Sequence, residues 1–281
     1  SLLIDGDAEH EDFSTFALSE FEQEEGMVLL CRLTAYSDLE IELLNYDEER
    51  LETWIPAKKI TGTVSAISAL THDIRRLDVA LDEPLTFRAG QYVDITIPDM
   101  RITRSYSMAN PPSEGTALSF LIKVYPDGGF SSLLETTLKA GDHLEINGPF
   151  GVSFRNEGHE GPILLVGGGS GMAPLWSILN DLADNEQQKP IRFYYGARAK
   201  RDLFYEQEIA SLATQFDDFR FVPALSEAGP GDDWDGATGL IHEIVSRDYA
   251  GIEPDDSMES YACGPPPMVE AILPVFQQIG I

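Results

Sequence analysis

The feature that most constrains the fold is a change of hydrophobic period near residue 155. Upstream, β-prone runs occupy residues 60–70, 74–81, 92–97, 104–109, 118–124 and 143–146, divided by Ala89-Gly90, Pro98-Asp99, Asn110-Pro111-Pro112, Asp127-Gly128-Gly129 and Ala140-Gly141. Short strands at such intervals predict a small antiparallel barrel or sandwich. Downstream, apolar runs at 163–166, 191–195, 219–225 and 260–263 alternate with helical periods. The first helix carries Leu175, Ile178, Leu179 and Leu182 on one stripe, and the second places Tyr205, Ile209, Leu212 and Phe216 on one face. Thr238 is the expected cap of a third, which bears Leu240, Ile241, Ile244 and Val245. The fourth carries Val269, Ile272, Leu273 and Phe276, and Pro274 within it is expected to introduce a kink. Alternation of this kind builds a parallel sheet covered by helices on both faces.

Residues 1–56 have a third texture. Carboxylates crowd them (Asp5, Asp7, Glu9, Glu11, Asp12, then Glu20, Glu22, Glu24 and Glu25) around one apolar core run, 27–30, and one alternating strand-like piece, 39–43. The chain of 281 residues sets 19 Lys+Arg against 48 Asp+Glu, a formal charge of -29. That field repels nucleic acid and anionic membranes, so neither is an expected partner. It suits docking to a basic protein surface, and equally an acidic proteome tuned for solubility. No apolar run approaches the roughly 18 residues of a membrane span, and no signal-peptide pattern opens the chain; a cytoplasmic location is expected. Two cysteines, Cys31 and Cys263, leave no disulfide framework. His242-Glu243 begins like a zinc-protease motif but no second His follows, which excludes zinc hydrolysis. Opening on Ser1, the chain reads as part of a longer polypeptide.

Four segments carry candidate chemistry. In Arg104-Ser105-Tyr106-Ser107-Met108, a guanidinium, an aromatic ring and a hydroxyl at alternating strand positions are expected on one side. There they can pair with a phosphate, stack on a flat ring and hydrogen-bond a ring nitrogen, although any β-strand can show these residues. Gly128-Gly129-Phe130-Ser131-Ser132 reads either as an ordinary capped turn or as a helix start whose free N–H groups receive a pyrophosphate. Val166-Gly167-Gly168-Gly169-Ser170-Gly171-Met172-Ala173-Pro174 follows a strand and opens a helix. It lacks the lysine of a phosphate-binding P-loop, and Met172 stands where the usual dinucleotide motif has its third glycine. The placement remains that of a dinucleotide turn, and Pro174 is tolerated in a first helical turn. Cys263-Gly264-Pro265 ends a strand at the carboxyl edge of the expected parallel sheet, where ligands bind in open α/β folds. A lone cysteine there fits a small buried hydrophobe just as well.

These segments, together with Phe87-Arg88-Ala89-Gly90-Gln91-Tyr92 and Gly148-Pro149-Phe150-Gly151, stand in an order that resembles the ferredoxin–NADP reductase superfamily over residues 57–281. The resemblance implies an α+β multidomain chain: a remnant of a β-grasp ferredoxin domain over 1–56, an antiparallel β-barrel FAD domain over 57–154 and an α/β parallel-sheet NAD domain over 155–281. By the same resemblance, Arg104 pairs with the FAD pyrophosphate, Tyr106 packs on the isoalloxazine, Ser107 reaches flavin N5, and Met108 and Lys123 join the cofactor-binding set. The backbone of Gly128, Gly129, Phe130, Ser131 and Ser132 holds the pyrophosphate. Gly168, Gly169, Ser170, Gly171 and Pro174 take the nicotinamide dinucleotide; Cys263, with Gly264 and Pro265, lines the nicotinamide pocket. Cys263 and Ser107 are the expected catalytic pair, positioning the two rings. The family's terminal strand and the aromatic that covers the flavin have no counterpart before Ile281.

Glu227, after the third α/β strand, would repel a 2′-phosphate and accept from a ribose hydroxyl, which favours NADH over NADPH, while Arg198, Lys200 and Arg201 nearby argue the other way. The segment around Cys31 is similar to the end of a plant-type ferredoxin domain, where that cysteine is the fourth [2Fe–2S] ligand. The other three ligands are absent, so a cluster is expected only in a full-length parent. The order ferredoxin, FAD, NAD resembles reductase components of soluble diiron monooxygenases (methane, propane and phenol hydroxylating systems). It implies electron transfer from NADH to an oxygenase or hydroxylase partner. A stand-alone NADH:acceptor reductase, for flavin or ferric iron, and a non-catalytic acidic adaptor remain the alternatives.

Overall fold

The computed structural model describes residues 1–11, 13, 18, 20–44, 54–229, 231 and 233–281. Asp12 of the acidic run lies outside the described residues. The chain forms two compact units, Ser1–Trp54 and Ile55–Ile281.

The first unit contains β1 (Leu2–Asp5), β2 (Ala8–His10), the short helix α1 (Glu20–Glu24), β3 (Leu33–Ala35) and β4 (Glu40–Glu42). β1 pairs with β4 and β2 with β3, both antiparallel. The expected alternation around Ile41 is present as β4, with Ile41 half-buried between exposed glutamates. The run 27–30 is not the continuous core expected of it. Val28 is buried, whereas Leu30 is exposed and opens a 3-10 turn, Leu30–Arg32, that presents Cys31 to solvent.

The second unit begins with six strands: β5 (Lys58–Ala69), β6 (Ile74–Leu81), β7 (Tyr92–Ile97), β8 (Ile102–Ser107), β9 (Ala117–Lys123) and β10 (His143–Phe150). They form one antiparallel sheet in the order β8-β7-β10-β5-β6-β9, and an isolated bridge between Met108 and Phe120 joins its two edges into a barrel-like closure. Alternate residues of each strand turn inward, and Val79, Val93, Ile95, Leu118, Phe120, Leu144 and Ile146 fill the interior. The four-residue helix α2 (Leu133–Thr136) lies between β9 and β10.

Five parallel strands follow: β11 (Ile163–Gly168), β12 (Ile191–Ala197), β13 (Phe219–Leu225), the two-residue β14 (Ala237–Thr238) and β15 (Glu259–Cys263). Their order is β14-β13-β12-β11-β15. Every residue of β11 is buried, as a strand covered on both faces must be. On one face Leu165, Phe193 and Tyr195 pack under α3 (Met172–Asp184) and α4 (Glu206–Ala213). On the other, Leu164, Val166 and Tyr194 pack under α5 (Ile241–Asp248) and α6 (Pro266–Gln278).

Several expected boundaries move. Tyr205 is the left-handed N-cap of α4 and Phe216 lies beyond its end, yet both stay buried. Thr238 ends β14 and caps nothing; α5 starts at Ile241, and the Glu243 carboxylate accepts the Leu240 N–H at 3.1 Å. Leu240 and Leu273 are exposed where the periodicity places them in the core. Helix α6 continues past Pro274 to Gln278.

Candidate functional site

The strand order reverses at β11, with β12 on one side and β15 on the other. Ligands of open α/β sheets bind at the carboxyl ends of strands flanking such a switch point. Gly168 ends β11, Gly169–Gly171 form a 3-10 turn, and α3 opens at Met172 with Pro174 buried in its first turn. The turn needs glycine for two different reasons. At Gly171 a Cβ would stand 2.1 Å from the Cys263 carbonyl oxygen, so this glycine lets the turn lie directly on the Cys263–Gly264 backbone. At Gly169 the Cβ would meet nothing within 4 Å, but φ is +56°, a left-handed conformation that disfavours other residues. The buried Tyr195 hydroxyl donates to the Gly169 carbonyl at 2.8 Å and pins the turn.

Cys263 closes β15 opposite Gly167. Burial pushes its thiol up to about 11, which keeps it protonated at neutral pH and therefore a poor nucleophile. Pro265 continues from it into a cleft of ≈ 300 Å³ bounded also by Gly168, Gly169, Arg198, Ser226 and, from the barrel, Lys123. Of the three basic residues weighed after β12, Arg198 lines the cleft, whereas Lys200 is drawn to Asp233. Glu227 is exposed outside the cleft lining, although its N–H donates to the Arg198 carbonyl at 2.9 Å.

On the barrel, the pleat divides the residues expected together. Arg104 and Tyr106 are registered opposite Ile95 and Val93, whose side chains fill the barrel, while Ser107 is opposite Tyr92 on the other face. Ser105 confirms the division, donating to Asp94 at 2.6 Å. Tyr106 is half-buried, its ring centroid 5.2 Å from that of Phe130, and burial raises its phenol to about 12 against the opposing effect of Arg104. Arg104 has no carboxylate partner among the described residues; one nitrogen donates to the Thr103 carbonyl, and another stands 3.6 Å from where a Gly129 Cβ would be.

The glycine turn of the barrel is more selective than its sequence implies. Gly128 N–H donates to Tyr125 and Ser132 N–H to Gly128, so both are taken. The N–H groups of Gly129, Phe130 and Ser131 have no partner among the described residues. Three consecutive N–H groups without a partner among the described residues, beside a guanidinium with no carboxylate partner there, offer an anion several donors, so these residues fit a pyrophosphate. The Ser131 and Ser132 hydroxyls serve the turn itself, bonding Tyr125 N–H and the Gly128 carbonyl. The side chains of Met108 and Phe130 are buried inside the barrel, which leaves Phe130 its backbone N–H to offer a ligand.

The remaining motif residues hold the frame. The Gln91 side chain joins Arg88 N–H to the Gly151 carbonyl. Sequence reading missed the struts between the barrel and helix α3, which follows the glycine turn. Arg155 pairs with Asp181 in a buried contact, Ser177 donates to the Asn110 carbonyl at 2.7 Å, and Ser113 donates to Asp184 at 2.5 Å. It also missed an ionic cluster at the cleft. Asp73 accepts from Lys123 at 3.1 Å and faces Arg198 at 3.5 Å, and Asp202 faces the same guanidinium at 3.5 Å.

Comparison with known proteins agrees with this layout. Residues 61–154 match the Oxidoreductase FAD-binding domain family and residues 165–273 the Oxidoreductase NAD-binding domain family. The chain is 43% identical over 283 residues to the reductase component of propane 2-monooxygenase from Gordonia sp. (strain TY-5), covering 99% of this chain and 81% of that protein. The chain belongs to the ferredoxin–NADP reductase family. Phenol 2-monooxygenase reductase component DmpP from Pseudomonas sp. (strain CF600) is 32% identical, covering 98% of this chain and 77% of that protein. Among solved structures, the Amycolatopsis cytochrome P450 reductase GcoB superposes with a TM-score of 0.85 at 30% identity, covering 99% of this chain and 82% of that one. The reductase is therefore an FAD- and NAD-binding oxidoreductase of the electron-transfer type, with a barrel-like FAD domain and a parallel-sheet NAD domain. No helix among the described residues is long and apolar enough to cross a membrane.

Proposed function

We propose that this reductase oxidises NADH at FAD and delivers the electrons one at a time to the oxygenase component of a multicomponent monooxygenase. The observation that carries the reading is the union, in one compact unit, of the anion-binding turn beside Arg104 with a cleft at the β11–β15 switch point. Bound FAD supplies hydride acceptance and single-electron release, chemistry that belongs to the cofactor. Arg104 and the N–H groups of Gly129, Phe130 and Ser131 would hold its pyrophosphate, and the Tyr106 ring would form one wall of the flavin site. The turn at Gly168–Gly171 would seat the dinucleotide, with neutral Cys263 and Pro265 beside the nicotinamide. Ser107, the last residue of β8, would be the hydroxyl offered to the flavin ring. Orientation of two rings in this way contributes several kcal/mol to a hydride transfer, on the order of what intramolecular reactions gain.

Glu227 at the adenosine end would disfavour a 2′-phosphate, and NADH is the preferred donor. Residues 1–56 would be the C-terminal remnant of a ferredoxin domain, 57–154 the FAD domain and 155–281 the NAD domain. The residues present do not fit a [2Fe–2S] cluster: Cys31 is one thiolate of the four required, and the chain's second cysteine, Cys263, ends β15 in the other compact unit. The partner is an oxygenase or hydroxylase with a basic docking face complementary to the charge of -29.

An absorbance spectrum of the purified protein, taken before and after anaerobic addition of NADH and then of NADPH, tests the reading. A flavin spectrum bleached by NADH supports it. A folded protein that stays colourless with FAD in excess refutes it.

A further inference from the structure

The ionic cluster at the cleft has a composition the reaction does not require. Arg198 lines the wall where Ala197 and Ser226 bring the ends of β12 and β13 together, the Ser226 N–H donating to the Ala197 carbonyl at 3.0 Å. A guanidinium at that position is the residue of choice for a phosphate monoester. Two carboxylates engage it from different parts of the fold: Asp73, from the hairpin between β5 and β6, and Asp202, from the loop after β12, each at 3.5 Å. Their side chains are 20% and 13% exposed against 53% for Arg198, so the carboxylates are fixed and the cation is held toward them.

The rest of the cluster anchors those acids. Hydrogen bonds from Lys123 and Thr71 outweigh burial and hold the Asp73 carboxyl below its usual range, so it stays ionised. Asp202 caps the Ala199 N–H with Oδ2, while its buried Oδ1 has no hydrogen-bond partner and lies 3.3 Å from the His72 ring. An incoming phosphate therefore meets a cation already engaged by two carboxylates.

We propose that Asp73 and Asp202 make the reductase selective for the dinucleotide lacking a 2′-phosphate, by holding Arg198 neutralised at the adenosine end of the cleft. The proposal rests on the reading that this cleft takes the nicotinamide dinucleotide and prefers NADH. It assigns the preference to two acids distant from Glu227 in sequence. A 2′-phosphate adds close to two negative charges and would have to break the Arg198 pairs to be bound, whereas a ribose hydroxyl leaves them intact.

Binding of adenosine fragments tests this without turnover. The FAD-loaded protein is titrated calorimetrically with 5′-AMP and with adenosine 2′,5′-bisphosphate, as wild type, Asp202→Asn, Asp73→Asn and Asp202→Asn/Arg198→Ala. Asn at 202 retains an oxygen for the Ala199 N–H, so the loop is preserved. The expected result is that the wild type prefers 5′-AMP and that each Asn variant binds the bisphosphate about tenfold tighter with 5′-AMP little changed, as loss of one nearby charge implies. Removing Arg198 as well should return the bisphosphate to its wild-type affinity. If both Asn variants keep the wild-type ratio, or if the gain survives loss of Arg198, the assignment is overturned and the NADH preference stands. A wild type that binds the bisphosphate at least as tightly as 5′-AMP overturns the NADH reading itself.

Discussion

Replacing Gly171 by alanine isolates the contact on which the proposed hydride geometry depends. The added Cβ would stand 2.1 Å from the Cys263 carbonyl oxygen, 2.4 Å from its carbon and 2.6 Å from the Gly264 nitrogen. All three are backbone atoms, so no side chain can swing aside. To restore ordinary contact, the Gly169–Gly171 turn and the Cys263 loop must part by about 1 Å, because close-packed interiors hold no spare volume. Overpacking of this severity costs about 1–3 kcal/mol of stability. A misplacement of about 1 Å between reacting groups costs about 100-fold in rate. Gly169→Ala is the control: its Cβ enters open space, and only the left-handed φ of +56° is penalised, by about 1–2 kcal/mol. Anaerobic stopped-flow reduction of the flavin by NADH should therefore slow about 100-fold in Gly171→Ala and far less in Gly169→Ala, with FAD content retained in both. Equal rates in the two variants, or a slowing that merely follows lost FAD, would refute the reasoning.

Arg104→Ala should weaken FAD binding by about tenfold or more, the worth of charge-assisted hydrogen bonds to a phosphate, while Arg104→Lys recovers part of it; ultrafiltration of bound flavin measures both. Iodoacetamide at pH 7 should label exposed Cys31 and spare Cys263, whose labelling rises only as the pH climbs toward about 11; peptide mass spectrometry reads the ratio. Cys263→Ala should slow flavin reduction by NADH and leave FAD bound, and an unchanged stopped-flow rate would remove its positioning role. Asp181→Ala leaves the buried Arg155 without its carboxylate and should destabilise the second unit by about 3–5 kcal/mol, seen as a lowered denaturant midpoint. Asp181→Asn, which keeps an acceptor, should lose less.

What was legible in the sequence is what repeats or what no other residue can do. The barrel strands at 74–81 and 92–97 and the parallel strand at 219–225 carry their period in the chain itself, and the structure has them at those bounds. Glycines 169 and 171 announce a special turn because their cost elsewhere would be unrewarded, although only coordinates separate the one that needs its φ from the one that needs its missing Cβ. A ligand-like motif does not say which of its side chains face a ligand: those of Met108 and Phe130 fill the barrel. The pairs that join distant segments were invisible: Asp73 with Arg198, and Arg155 with Asp181, belong to no motif. Ion pairs have no period, and an acidic chain offers every arginine many candidate partners. The Arg198, Lys200 and Arg201 loop shows the consequence, since as sequence it argues for a phosphate. Once folded, Arg198 faces two carboxylates and Lys200 is turned to Asp233, so the number of positive charges near the cleft misstates the charge available to a ligand.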